Sequence, residues 1–316
     1  MRAMTRIVFL DRDTLPTRPF CFDFPHDYAE YGLTAPDELA ARIAGADIVI
    51  CNKVVFDRAA FAAAPRLKLI ALTATGYDNI DLPAAREAGV TVCNVRAYGN
   101  ESVAEHALMM MLALMRNLPA YMRDVAAGVW QNAPFFCHFG APVRELHGKT
   151  LTLFGRGNIG QTLAGYARAF GMTVLWGERK GAASVREGYT PFGQALAQAD
   201  VVSLHCPLNA QTRHMIGEAE LQMMKAGAVL INVGRGGLAD EQAVLAALKY
   251  GQLGGAGFDV LGQEPPRNGN PLLARLPNLI VTPHNAWASA EALSRMTDMV
   301  EANVRAFVAG TPQNTV

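Results

Sequence analysis

The sequence carries no excess charge of either sign: Lys and Arg together number 28, and so do Asp and Glu, in 316 residues. No block of like charges occurs, so the broad electrostatic footprint needed for nucleic acid or an anionic lipid surface is absent. Long hydrophobic runs are missing too. The longest, ALMMMLALM from Ala107 to Met115, is far short of the ~20 residues that span a bilayer. The apolar run before Asp11 is too brief for the core of a signal peptide and reads as a first strand. Cysteine is sparse: five residues, an odd number spread from Cys21 to Cys206, with no Cys-x-x-Cys and no Cys/His ligand spacing. That argues against a disulfide framework and a structural zinc site, and no metal is expected. A reducing, cytoplasmic setting fits best. Internal repeats, Ser/Gly linkers and low-complexity tracts are lacking as well.

What remains is a chain that is 51% hydrophobic and 18% charged, the balance of a globular protein with length enough for two domains. Short aliphatic runs alternate with Ala-rich helical segments, which predicts an α/β fold with parallel sheets. In the first third, RIVFL, DIVIC, KLIALT and VTVCNV are the strands, with PDELAARIAGA and LPAAREAG as helices. A second, larger set runs through KTLTLFG, MTVLWG, DVVSLHC, AVLINVG, GGAGFDV and NLIVTP. The expected architecture is two doubly wound, Rossmann- or flavodoxin-like domains separated by a cleft. Between the sets, NESVAEHALMMMLALMRNLP predicts one helix that bridges the domains and stops at Pro119; its three methionines read as core packing. The C-terminal SAEALSRMTDMVEANVRAFVAG has helical spacing and is expected to return to the first domain.

One loop carries chemistry. LTLFGRGNIG places Gly155, Gly157 and Gly160 in the G-x-G-x-x-G spacing, directly after a strand and at the start of a helix. Gly155 permits the tight turn, Gly157 admits a pyrophosphate to the backbone, and Gly160 packs the helix on the strand. The first helical N–H groups, from Asn158 and Ile159 onward, offer donors and a partial positive charge. Arg156 adds a charge-assisted bond. Glu178 follows at the end of the next strand, where such a fold sets an acid against the adenosine ribose hydroxyls; this favours NAD over NADP. Arg179 and Lys180, just past it, are the complication, because basic residues there can take a 2′-phosphate.

Three other strand ends hold polar residues that packing does not ask for: Arg235 in INVGRGGLAD, Asp259 and Glu264 in FDVLGQEPP, and His284 in TPHNAWAS. In an open parallel sheet all of them face the ligand crevice. Taken singly, Arg235 and Glu264 could be a surface ion pair and His284 a satisfied loop histidine; taken jointly they make an acid/base site.

With TATGYDNIDLPAAREAGVTVCNV, GNESVAEHALMMMLAL, GRGNIG, HCPLNAQT, NVGRGGLADEQAV, GFDVLGQEPP and TPHNAWAS in order along nearly the whole length, the chain resembles the D-2-hydroxyacid dehydrogenase family. YGNESVAEH and HNAWAS look most like its glycerate dehydrogenase and hydroxypyruvate reductase branch. The resemblance implies a discontinuous substrate domain, 1–98 with 286–316, and a dinucleotide-binding domain, 99–285. It implies hydride transfer between NAD(P)H and a small 2-keto or 2-hydroxy acid, with His284 as general acid/base, Glu264 as its partner, and Arg235 holding the substrate carboxylate and carbonyl. Thr75 and Gly76 match the turn whose amides bind the carboxylate, and Asp259 the residue bonded to the nicotinamide carboxamide. His205, Cys206, Pro207, Thr212, Val233 and Gly234 line the cofactor, chiefly through backbone. Trp287 stands where a glycine-containing stretch is common and is expected to shape a small substrate pocket. A homodimer through the cofactor domains is implied too. FFCHFG, 135–140, has no role derivable from its residues, and its aromatics would suit that contact. Formate dehydrogenases of this fold pair the histidine with glutamine, so Glu264 speaks against them. An NADH-binding corepressor of the same fold is the alternative from another class.

Overall fold

Residues 4–316 are described by a computed structural model, and they divide into two units: the residues up to Gly99 together with Ala288–Val316, and Asn100–Trp287. Each is built on a wholly parallel sheet. The first has strands β1 (Thr5–Phe9), β2 (His26–Glu30), β3 (Ile48–Cys51), β4 (Leu69–Leu72) and β5 (Thr91–Cys93) in the order β2-β1-β3-β4-β5. Strands β3 and β4 are buried at every position, as expected where helices cover both faces of a sheet. The helices are α1 (Pro36–Ile43), α2 (Arg58–Ala63) and α3 (Leu82–Glu87). Asp57 and Asp81 cap the latter two by accepting from the N–H groups of Ala60 and Ala84. The C-terminal helix, Ala290–Val308, is capped by Ser289 and packs on β4. Its buried Glu301 accepts from Arg18 and from the Cys21 amide, tying the N-terminal segment to the helix.

Strand β2 has no signature among the apolar runs of the sequence. Its HDYAE is an edge strand with no fully buried position, paired only to β1, so nothing selects an aliphatic pattern there.

The second unit opens with α4 (Asn100–Met115) and α5 (Leu118–Ala126), then alternates β6 (Thr150–Phe154), α6 (Asn158–Ala169), β7 (Thr173–Trp176), α7 (Phe192–Gln198), β8 (Val201–Leu204), α8 (Glu218–Met223), β9 (Ala228–Asn232), α9 (Glu241–Lys249), β10 (Leu253–Phe258) and β11 (Leu279–Val281). The expected single helix ending at Pro119 is therefore two. Asn117 turns the chain at φ 50 and Pro119 falls in the first turn of α5, where its missing N–H costs nothing. Helix α4 belongs to the second unit, packed on α6, β9 and β10, with Met110 and Met111 fully buried.

The sheet order is β11-β10-β9-β8-β6-β7. Alternate residues feed two cores, Val202, Leu204 and Leu230 on one face and Leu151, Leu153, Val201, Val229 and Ile231 on the other. Strand β6 has β7 on one side and β8 on the other, so the direction of winding reverses beside it. The carboxyl ends of β6 and β8 thus flank the point at which doubly wound sheets receive ligands. No helix of the described residues is long and apolar enough to cross a membrane.

Candidate active site

At the carboxyl end of β6 the chain turns through Gly155 at φ 115. A Cβ there would lie 2.5 Å from the backbone carbonyl of His205 at the end of β8, and only glycine combines that conformation with that approach. A Cβ on Gly160 would stand 2.2 Å from the Gly155 oxygen, so the first turn of α6 rests on the loop itself. Gly157 differs: a Cβ added to it would meet nothing within 4 Å. The protein's own packing does not require glycine at that position. Space kept open before the start of α6, where no side chain caps the first turn, suits the close approach of a phosphate to backbone N–H groups. Arg156, Asn158 and Ile159 belong to this turn, with Arg156 and Asn158 exposed.

Glu178 lies two residues past β7 and is 2% exposed. Its carboxylate is fully engaged by groups of the chain itself. Arg186, eight residues on, binds both oxygens through Nε at 3.0 and 2.8 Å and Oε1 through a terminal nitrogen at 2.6 Å; the backbone N–H groups of Arg179 and Arg186 complete the set. The guanidinium first, then those amides, hold the carboxyl at about 2. Lys180 turns to Glu220 at 2.8 Å, and Arg179 is exposed. Arg186 gave no signal in the sequence because the segment between, GAAS, has no periodicity to align it with Glu178.

The segment after β8 is rigid in a similar way. His205 Nε2 is 2.8 Å from the Ser203 hydroxyl, and burial pushes its imidazole well below the ordinary value. Burial raises the Cys206 thiol to about 11, which keeps it protonated and unreactive. Thr212 donates to the Pro207 carbonyl at 2.7 Å and accepts from the Asn209 amide. After β9, fully buried Asn232 accepts from the Gly234 N–H and donates to the Arg235 carbonyl at 2.9 Å. It sets the Val233–Arg235 turn and leaves the Arg235 side chain exposed. Asn232 was not singled out in the sequence, where it reads as one more polar residue ending a strand.

His284 and Glu264 meet. His284 Nδ1 is 2.6 Å from Glu264 Oε2, while Oε1 accepts from the Leu261 amide at 2.8 Å. Burial alone would raise the Glu264 carboxyl; bonding to His284 and to that amide outweighs it, so the group lies below its usual value and is ionised. With Nδ1 committed to the carboxylate, Nε2 is the ring nitrogen left to exchange a proton. The Arg235 and Glu264 loops touch closely, since a Cβ on Gly236 would sit 2.0 Å from the Leu261 carbonyl carbon.

Asp259 and Trp287 both make bonds to the loop that carries His284. Asp259 is 1% exposed and spends its carboxylate on the loop after β11: it accepts from the Thr282 hydroxyl at 2.5 Å and from the amides of Asn285 and Ala286 at 3.0 and 2.9 Å. Its side chain thus braces the His284 loop. Trp287 donates its indole N–H to the His284 carbonyl at 2.8 Å and packs against the core beside α4. Behind Asp259, His106 Nε2 lies 2.9 Å from Thr282 Oγ1. Burial depresses that imidazole more than the Asp259 charge lifts it.

Thr75 and Gly76 belong to the first unit, after β4, where the Thr75 carbonyl accepts from Asn94 Nδ2 at 2.8 Å. Among the described residues there is no group of three His, Cys, Asp or Glu able to hold a metal ion.

Comparison with known proteins agrees with this geometry. Residues 108–286 match the family model described as D-isomer specific 2-hydroxyacid dehydrogenase, NAD binding domain. The chain is 46% identical to a glycerate dehydrogenase of Methylorubrum extorquens over 98% of both chains. Among solved structures it resembles an acyclic imino acid reductase in complex with NADPH and D-Arg (TM-score 0.82, 29% identity, 99% and 100% of the two chains). It also resembles a D-lactate dehydrogenase from Aquifex aeolicus complexed with NAD and lactic acid (TM-score 0.79, 28% identity, 97% and 96%).

The close approach at Gly155 gives a direct test of the site's frame. Gly155→Ala, in the whole chain, is expected to lower unfolding stability by about 2–4 kcal/mol through strain and overpacking. An unchanged denaturant midpoint would show that the turns after β6 and β8 are not pressed together.

Proposed function

The chain belongs to the D-isomer-specific 2-hydroxyacid dehydrogenase family, and on that premise we propose that it reduces hydroxypyruvate or glyoxylate with NADH, giving D-glycerate or glycolate. The observation that carries this reading is the Glu264–His284 pair at 2.6 Å, set in a loop braced by Asp259 and beside the Arg235 turn. The glycerate dehydrogenase likeness supports the choice of acid.

When bound, the dinucleotide supplies a hydride to the substrate carbonyl carbon. The chain's part is to fix the substrate and manage the proton. Arg235, exposed on a turn whose backbone is fixed by Asn232, offers a planar fork that fits a carboxylate and orients the adjoining carbonyl. As the carbonyl oxygen gains charge, His284 Nε2 gives it a proton, and in the reverse direction Nε2 takes that proton back. Ionised Glu264 stabilises the imidazolium that precedes the transfer and fixes which nitrogen faces the substrate. The turn Gly155–Gly160 would hold the pyrophosphate, with the segments His205–Thr212 and Val233–Arg235 along the cofactor. Thr75 and Gly76 keep the part that the family resemblance implies, backbone donors to a carboxylate. Glu178, an acid at the end of β7, favours NAD as the principal cofactor.

We further propose a homodimer through the second unit and a reducing, cytoplasmic location. The first is supported by four aromatics exposed within ten residues, Trp130, Phe135, Phe136 and Phe139, the last two 90% and 82% exposed, since grouped exposed apolar side chains mark interaction surfaces. The second is supported by five free thiols.

Purified protein mixed with NADH and hydroxypyruvate or glyoxylate should consume NADH. Normal NADH binding with no turnover of any short 2-keto acid would favour a binding role instead. His284→Ala is expected to reduce turnover by roughly 10² to 10⁴, the range for a general acid/base; turnover within about threefold of the parent would reject the assignment. In Glu264→Gln the anion facing the ring is gone. The limb of the pH–rate profile that reports the imidazole should move to lower pH, and an unmoved limb would mean the pair is uncoupled in the working enzyme. Light scattering should give twice the 34.0 kDa chain mass, and Phe136→Asp with Phe139→Asp should return it to the monomer value; a parent monomer would refute the dimer.

A further inference from the structure

A carboxylate offers about four acceptor positions, and at Glu178 two are taken by the backbone N–H groups of Arg179 and Arg186. The Arg186 guanidinium fills the rest. Those remaining positions are the ones a ribose diol would need, so a dinucleotide without a 2′-phosphate can use Glu178 only if the Arg186 side chain lets go. A dinucleotide bearing a 2′-phosphate faces the opposite difficulty. It brings a dianion toward a buried carboxylate, tolerable only with a cation between them.

Arg186 is that cation, and its surroundings allow it to move. Its side chain is 45% exposed, and its guanidinium lies 3.9 Å from the Tyr189 ring centroid. A face-on aromatic contact retains a cation whether or not it keeps its carboxylate partner. Arg156, within the glycine loop itself, lies 5.6 Å from the same ring and 5.3 Å from that of Trp176. Two guanidinium groups, one from the phosphate loop and one from the segment after β7, therefore gather at a single tyrosine. Lys180, the sequence's candidate for this task, is committed to Glu220, whose own side chain is 9% exposed.

Resting on the reading above that the glycine loop holds a nicotinamide dinucleotide, we propose that Arg186 is the specificity-determining residue at the ribose 2′ position. Swung off Glu178, it yields the carboxylate to the hydroxyls of NAD; kept between Glu178 and a 2′-phosphate, it and Arg156 hold NADP. The chain thus accepts both cofactors, and the choice between them is set by one ion pair rather than by Arg179 and Lys180.

The test is equilibrium binding of NADH and NADPH to the intact protein, read by nucleotide fluorescence without substrate. Parent protein should bind both. Arg186→Gln should raise Kd for NADPH about tenfold or more, the loss of a bidentate charge-assisted contact, while Kd for NADH stays equal or falls. Arg186→Lys, which keeps the charge and loses the fork, should fall between, and it serves alone should the glutamine variant not fold. A ratio of the two constants that stays within about twofold of the parent in the variant that folds overturns the proposal. So does a shift produced instead by Arg179→Gln, or a parent that binds NADH and not NADPH. A parent that binds neither nucleotide overturns the dinucleotide reading beneath it and this proposal with it, a distinguishable failure.

Discussion

The Asp259 carboxylate is the contact on which the reacting end of the site depends. It sits at the carboxyl end of β10 with 1% of its surface exposed, where a polar group is costly unless it is hydrogen-bonded. Only one conformation of the chain after β11 supplies the donors, namely the Thr282 hydroxyl and the amides of Asn285 and Ala286. Its main chain extends the constraint both ways. The Asp259 N–H donates to the Asn232 carbonyl, and the Asp259 carbonyl accepts from the His284 N–H. His284 is held at φ 52, a conformation that a non-glycine residue adopts only when its surroundings over-determine it. The position of the imidazole is thus a consequence of satisfying a buried acid one strand away.

Around that brace the loops at the carboxyl edge of the second sheet meet backbone to backbone. Gly155 lies against His205, and Gly236 against Leu261. A Cβ at either point would push the two loops apart. The outcome is a stiff floor, above which Arg156, Arg186 and Arg235 stay exposed. Closely packed backbone with exposed guanidinium groups above it suits the proposed binding of phosphates and carboxylates.

Much of this was legible in the sequence because it follows from period and spacing. All six strands of the second sheet announce themselves as short apolar runs, the glycine turn by its spacing after β6, and His284 with Glu264 by being polar where packing asks for nothing polar. What escaped has a common physical cause. Strand β2 is an exposed edge, so no burial selects its residues. The break between α4 and α5 depends on Asn117 in a left-handed conformation, which a Pro two residues later does not reveal. Asn232, Arg186 and the bracing use of Asp259 are contacts between residues distant in sequence or side-chain choices among several acceptors. A motif fixes where such a residue stands and not which donor it finds.

Glu264 and Glu178 show why that last distinction matters. Both are acids at strand ends of the same sheet edge, both lie below their usual titration range, and both face a base at hydrogen-bonding distance. Their partners differ in kind. An imidazole, the partner of Glu264, can both take up and release a proton, so that pair can pass one outward through Nε2. The guanidinium facing Glu178 cannot be deprotonated, so that pair can only open or close. On the proposed reading, acid–base chemistry therefore belongs to the ends of β10 and β11, and recognition by charge to the end of β7.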